Sequence, residues 1–107
     1  MSQRITIGKA ADIPDGGSVV VNVSVGGKKK DIAVFKIGGQ LFAIDDMCPH
    51  AGASLSGGHV EDGCVTCPWH YWRFRLSDGA WADNPRQKIG SYPVHVAGGE
   101  VQLEVPD

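Results

Sequence analysis

Five glycine pairs punctuate this chain: Gly16-Gly17, Gly26-Gly27, Gly38-Gly39, Gly57-Gly58 and Gly98-Gly99. Each lies beside a short run rich in Val, Ile or Phe. Glycine turns the backbone without steric cost. Turn signals at this spacing between β-branched runs predict an antiparallel all-β domain. Strands are expected at Arg4–Ile7, Ser18–Val25, Asp31–Ile37, Gln40–Ile44, His59–Glu61, Cys64–Thr66, Trp72–Leu76, Pro93–Ala97 and Val101–Val105. The alternation is clearest in Ser18–Val25, where Val19, Val21, Val23 and Val25 fall on one face. Lys9–Asp12 is the one helical hint, a single turn before Ile13-Pro14. Lys28-Lys29-Lys30 reads as the solvated start of a hairpin rather than as a patch for an acidic partner.

The chain has 107 residues, which fits one domain, 1–107, with a real but thin core. Ten Lys+Arg against twelve Asp+Glu give a net charge of -2, which argues against a nucleic-acid binder. No apolar run approaches the ~18 residues that span a bilayer, so no membrane association is expected. Behind Met1-Ser2-Gln3-Arg4 there is no apolar stretch of the secretory kind, and the expected address is cytoplasmic.

Cysteine and histidine carry the chemistry. Cys48-Pro49-His50 opens one segment and Cys67-Pro68-Trp69-His70 closes it, with 16 residues between His50 and Cys67. A proline after each cysteine fixes φ and stiffens the loop. Two such loops can bring two thiolates and two imidazoles to one point, a donor set that fits tetrahedral zinc or an iron–sulfur cluster. Cys64-Val65-Thr66-Cys67 also spells C-x-x-C, a spacing used for zinc or a redox disulfide. If Cys67 serves as one of the four donors, Cys64 reads most simply as a buried small hydrophobe.

The pattern C-x-H, 16 residues, C-x-x-H, with both Cys-Pro pairs, resembles the Rieske [2Fe–2S] signature. Phe74, Ser77-Asp78-Gly79 and Tyr92-Pro93-Val94 resemble the same segments of small Rieske-type ferredoxins, and the similarity runs from Ile7 to Val105. The resemblance implies that Cys48 and Cys67 bind one iron, and that His50 and His70 bind the other through Nδ1. By formal charge, two thiolates and two neutral imidazoles leave the oxidised cluster near zero, against about −2 for four thiolates. An electron is then easier to add. Ala51-Gly52-Ala53 would let backbone N–H groups approach the sulfides.

The resemblance also implies an organisation. The expected fold is an antiparallel β-sandwich base from residues 1–44 and 85–107, with a small inserted cluster-binding β-lobe from 45–84. Asn84-Pro85 is expected as a third loop covering the cluster. Trp69 is expected to shield the cluster, with partner docking as its alternative role. Trp81 is expected in the core, His59 on the surface and His95 on a strand face.

Three departures from high-potential relatives stand out. Ala53 and Trp69 occupy the positions of the extra cysteines that form an inter-loop disulfide there. Trp72 and Phe74 stand where those relatives place a serine and a tyrosine hydroxyl on the sulfurs. Tyr71 follows His70, where small ferredoxins often have glycine, which puts a close backbone approach there in doubt.

The function implied is a one-electron carrier of low potential between a flavin-dependent NAD(P)H reductase and a terminal oxygenase. The partners are expected to dock on His50, Ala51, Trp69, His70 and Pro85. The length argues against an oxygenase catalytic subunit, and no catalytic constellation stands in the chain. The alternatives are the small subunit of a nitrite-reductase-like complex, a structural zinc module using the same four residues, and an iron–sulfur redox sensor.

Overall fold

The computed structural model describes residues 2–47, 54–67 and 71–106. Twelve strands run in chain order: β1 Ser2–Lys9, β2 Ser18–Val25, β3 Lys28–Ile37, β4 Gln40–Asp45, β5 His59–Glu61, β6 Cys64–Thr66, β7 Arg73–Arg75, β8 Ala80–Trp81, β9 Asn84–Lys88, β10 Ser91–Tyr92, β11 Val94–Ala97 and β12 Glu100–Pro106. They form three sheets, ordered β1-β12-β11, β10-β4-β3-β2 and β5-β6-β7-β8-β9. Each named strand pairing is antiparallel. The domain is all-β, as the turn spacing predicts. The helical hint becomes a 3-10 turn at Ala10–Asp12.

The four-stranded sheet is the middle layer. Ile32, Val34 and Ala43 face a core shared with Val101, Leu103 and Val105 of β12, and Val19, Val21, Val23 and Val25 line the same side. The opposite face sends Ala33, Phe35 and Ile44 into a second core with Leu55, Val65, Cys67, Phe74 and Leu76. A strand buried on both faces has no polar side to show. Hence Ile32-Ala33-Val34-Phe35 is an unbroken apolar run while β2 alternates. Burial of a side chain such as Phe35 or Phe74 stabilises by roughly 1.5–3 kcal/mol.

Hairpins are tight where the glycine pairs predict them. Gly26-Gly27, Gly38-Gly39 and Gly98-Gly99 have positive φ at both residues, the demand of a two-residue type I′ turn. Gly57-Gly58 differs. It ends a 3-10 turn at Leu55–Gly57, and a Cβ on Gly58 would sit 2.1 Å from the Thr66 carbonyl oxygen. Glycine is needed there for close approach, not for a turn.

Two expectations are corrected, the start of β3 and the form of Asn84-Pro85. Lys28, Lys29 and Lys30 are the solvated start of the hairpin, as expected, but the strand expected from Asp31 already begins with them, paired with Val25, Ser24 and Val23. Asn84-Pro85 opens β9, the edge strand of the five-stranded sheet, rather than a free loop. Its ladder to β8 holds at Trp81↔Asn84 and Ala80↔Lys88 with a register shift between, so Pro85 sits in a bulge, where no N–H is required. Ser91–Tyr92 pairs with β4 while Val94–Ala97 pairs with β12, so the chain changes sheets at Pro93.

Candidate metal centre

The first cysteine–histidine loop leaves the end of β4 and returns at Ser54. Cys48, His50 and Ala51-Gly52-Ala53 lie outside the described residues, but both feet of the loop are on view. Met47 and Ser54 form an antiparallel bridge. Asp46, 7% exposed, fastens the pair. Its Oδ2 accepts from Ser54 Oγ at 2.6 Å, its Oδ1 from the Ser56 N–H at 2.9 Å, and its carbonyl oxygen from the Leu55 N–H at 2.6 Å. The Asp46 N–H in turn donates to the Asp31 carbonyl oxygen at 3.0 Å, which ties the clamp to β3.

Hydrogen bonds to a charged acceptor contribute roughly 1.5–3 kcal/mol each. Asp46→Ala removes two. The expected result is a loss of about 3–6 kcal/mol and a melting temperature lower by roughly 10 °C or more in a domain this small. Asp46→Asn keeps an acceptor for Ser56 and loses less. Differential scanning calorimetry on the two variants checks both values.

The second loop leaves β6 at Cys67. The Cys67 N–H donates to the Trp72 carbonyl oxygen at 2.6 Å, which closes the loop at its base. Cys67 is 0% exposed and packs in the core of Phe35, Leu55, Val65 and Phe74. Trp72 lies flat on Trp81, ring centroids 3.7 Å apart and planes at 4°. Pro68, Trp69 and His70 lie outside the described residues. Tyr71, at the loop's end, has a φ of 60°. A cavity beside the loop is lined by Gly57, Gly58, His59, Thr66, Cys67 and Tyr71.

Of the other residues that sequence reading singles out, His59 is exposed beside Glu61 at 3.4 Å, and His95 sits on a strand face beside Glu104 at 3.2 Å. Trp81 only partly enters the core, because it sits on the short strand at the rim of the second cluster. Cys64 is partly exposed rather than buried. The two-residue period of β6 gives the core position to Val65 and turns Cys64 outward, level with Glu61 and Arg75.

Ser77-Asp78-Gly79 shapes the turn behind the second loop. Arg75 holds Asp78 through Nε at 3.1 Å and Nη2 at 2.6 Å. The Ala80 N–H on its carboxylate, and then this guanidinium, hold the Asp78 pKa below the ordinary value. Sequence reasoning misses Asp45 and Asp46. Asp45 accepts from Tyr92 Oη at 2.7 Å and from the Gly90 N–H at 2.9 Å. Burial first, then this bond and the Asp45 charge, raise the Tyr92 phenol well above its usual range. The one available signal was two adjacent acids at the end of an apolar strand, directly before the Cys-Pro loop.

The described half of the centre fits a sulfur-ligated cluster. Cys67 is a cysteine without exposed surface, at the fastened base of a proline-stiffened loop. It sits in an apolar shell that excludes water from whatever it holds. Residues 3–93 match the family model of the Rieske [2Fe–2S] domain. The chain belongs to the Rieske [2Fe–2S] family. The 3-phenylpropionate/cinnamic acid dioxygenase ferredoxin subunit of Escherichia coli (strain K12) is 37% identical over 106 residues, 97% of this chain and 95% of that one. Two of the similar solved structures bear on its role. One, from Mycobacterium tuberculosis, is assigned as the small subunit of an NADH-dependent nitrite reductase; its TM-score is 0.89 at 25% identity, covering 100% of this chain and 98% of that one. The other is in the complex of reduced oxygenase and oxidised ferredoxin in carbazole 1,9a-dioxygenase; its TM-score is 0.79 at 30% identity, covering 97% and 94%. A Rieske protein of this kind carries a [2Fe–2S] cluster and is an electron-transfer component rather than a catalyst. Among the described residues no helix is long and apolar enough to cross a membrane.

Proposed function

We propose that Cys48 and Cys67 hold one iron of the cluster and His50 and His70 the other, and that the chain carries single electrons from a flavin-dependent NAD(P)H reductase to a terminal oxygenase in the cytoplasm. The observation that carries this reading is end-to-end similarity to a dioxygenase ferredoxin subunit, 97% of one chain against 95% of the other. When bound, the cluster supplies a site that takes up one electron and gives it back. The chain's own residues do the rest. The Asp46 clamp and the Cys67–Trp72 hydrogen bond hold the two loops by their feet. The second core keeps water from Cys67. In this reading the five-stranded sheet and its two loops are the cluster-binding lobe, and the other two sheets are the base. The docking face comprises His50, Ala51, Trp69, His70 and Pro85. A nearly uncharged face of this size suits the weak, transient encounters of redox partners.

The test is reconstitution with a flavin-dependent NAD(P)H reductase and a ring-hydroxylating terminal oxygenase. Aromatic hydroxylation driven by reduced nicotinamide should require this chain. A second reading, the small subunit of a nitrite reductase, is favoured by the TM-score of 0.89. Co-purification with a large nitrite-reducing subunit, and no support of hydroxylation, would decide for it.

A further inference from the structure

We propose that Tyr71 is a specificity-determining residue for the terminal oxygenase, an exposed ring kept beside the cluster loop at a conformational cost. The proposal rests on the reading of the chain as an oxygenase ferredoxin and names the residue by which it meets that partner.

Two observations carry it. The first is backbone conformation. Tyr71 has a φ of 60°, in the left-handed region that glycine enters freely and a bulky side chain enters only under strain. Among the described residues only Asp62 joins it as a non-glycine with positive φ. Asp62 sits in the Asp-Gly turn between β5 and β6, where an aspartate is well tolerated. Tyr71 has no such excuse.

The second is exposure. Tyr71 is 78% exposed, the highest among the described large hydrophobic residues. Its ring therefore contributes little to the core that a smaller residue would lose. Strain at an exposed position without a folding benefit points to use by something outside the chain. Tyrosine suits that use, because its ring offers a rigid apolar face and a polar tip, the combination enriched at the energetic centres of interfaces. Position adds weight. Tyr71 directly follows His70, and Met47, at 60% exposure, directly precedes Cys48. The two most exposed large apolar side chains of the described residues thus adjoin the two ligand loops in the chain. The occupant is the oxygenase, since a similar ferredoxin is solved in complex with one. One electron leaves the reduced carrier for the oxidised oxygenase, and the carrier returns to its oxidised state.

The experiment compares wild type, Tyr71→Gly, Tyr71→Asn and Tyr71→Phe as cluster-loaded protein. Thermal melting, the Kd for the oxygenase by calorimetry, and stopped-flow rates of both half-reactions are measured. Tyr71→Gly and Tyr71→Asn relieve the left-handed strain, so melting temperature should hold or rise. Their Kd for the oxygenase should rise roughly tenfold or more. Reduction by the reductase should stay within about twofold, and Tyr71→Phe, which keeps the ring and loses only the polar tip, should weaken oxygenase binding much less than the two small variants. An unchanged Kd for both small variants overturns the proposal. So does a lowered melting temperature in both, or a reductase step slowed as much as the oxygenase step. Wild type that neither binds nor reduces any oxygenase would overturn the functional reading itself. A wild type that does so, with Tyr71→Gly equally competent, overturns this inference alone.

Discussion

Cys48→Ser and Cys67→Ser are each expected to yield colourless protein, falling from about two irons and two acid-labile sulfides per chain to nearly none. Cys64→Ser should remain red-brown with its full complement. The three cysteines differ in environment. Cys67 lies at the fastened base of its loop, fully buried in an apolar shell, and Cys48 begins the loop that Asp46 clamps. Cys64 faces outward from the five-stranded sheet, three residues from Cys67 but on the solvent side. A serine oxygen is a hard donor that replaces a soft thiolate poorly on iron–sulfur centres. At Cys67 the change also buries a hydroxyl in an apolar shell, at a cost of about 1–3 kcal/mol. Melting curves taken beside the iron and sulfide assays separate that cost from the loss of the cluster. Bleaching in Cys64→Ser would refute the ligand assignment, and one zinc per chain without labile sulfide would refute the cluster.

Much of this architecture is legible in the residues because the signals are local. Paired glycines at Gly26-Gly27, Gly38-Gly39 and Gly98-Gly99 mark hairpins through their backbone freedom. The valine face of β2 and the unbroken run Ile32–Phe35 reveal one-sided and two-sided burial. What escapes is set by tertiary closure. Gly57-Gly58 looks like another turn, and only the Thr66 carbonyl packed against Gly58 shows its purpose. Asn84-Pro85 is expected as a loop only through the family resemblance, and a bulged edge strand tolerates proline equally well. Cys64 reads as buried because cysteine so often is, but Val65 took the inward position. The adjacent acids Asp45-Asp46 are visible beforehand but the clamp is not, since its partners Ser54 and Ser56 lie across a loop whose closure no local rule predicts. At the centre the ligand spacing is legible as a motif. The strain at Tyr71 shows only as a residue standing where glycine is common, and its cost appears once φ is known.

The midpoint potential should lie near the low end of the Rieske range, around −150 mV rather than +300 mV. Reduction places an extra negative charge on the cluster, so each hydrogen-bond donor aimed at a sulfur raises the potential. The high-potential pattern has hydroxyls where this chain has Trp72 and Phe74. Phe74, 2% exposed, shares its apolar cluster with Cys67, so a carbon ring stands where a donor would. The Trp72 ring is committed to Trp81, and its carbonyl oxygen takes the Cys67 N–H. That N–H is therefore engaged away from sulfur. A charge-assisted hydrogen bond contributes roughly 1.5–3 kcal/mol, and tenfold in a one-electron couple is about 59 mV, so each missing hydroxyl is worth roughly 65–130 mV. Such a centre can be filled by reduced nicotinamide through a flavin and is poorly suited to quinol oxidation. Phe74→Tyr is the cleaner restoration, because the ring keeps its place in the core and gains only the hydroxyl. Trp72→Ser also removes the stack on Trp81, worth about 0.5–1.5 kcal/mol beyond area burial, so it should melt lower while raising the potential. Together the two changes should move the midpoint upward by roughly 130–260 mV if both hydroxyls reach sulfur. Protein-film voltammetry reads the outcome directly. A wild-type midpoint above about +100 mV, in the upper part of the range, would overturn the low-potential assignment, and a double variant at the wild-type midpoint would remove these two positions from control of it.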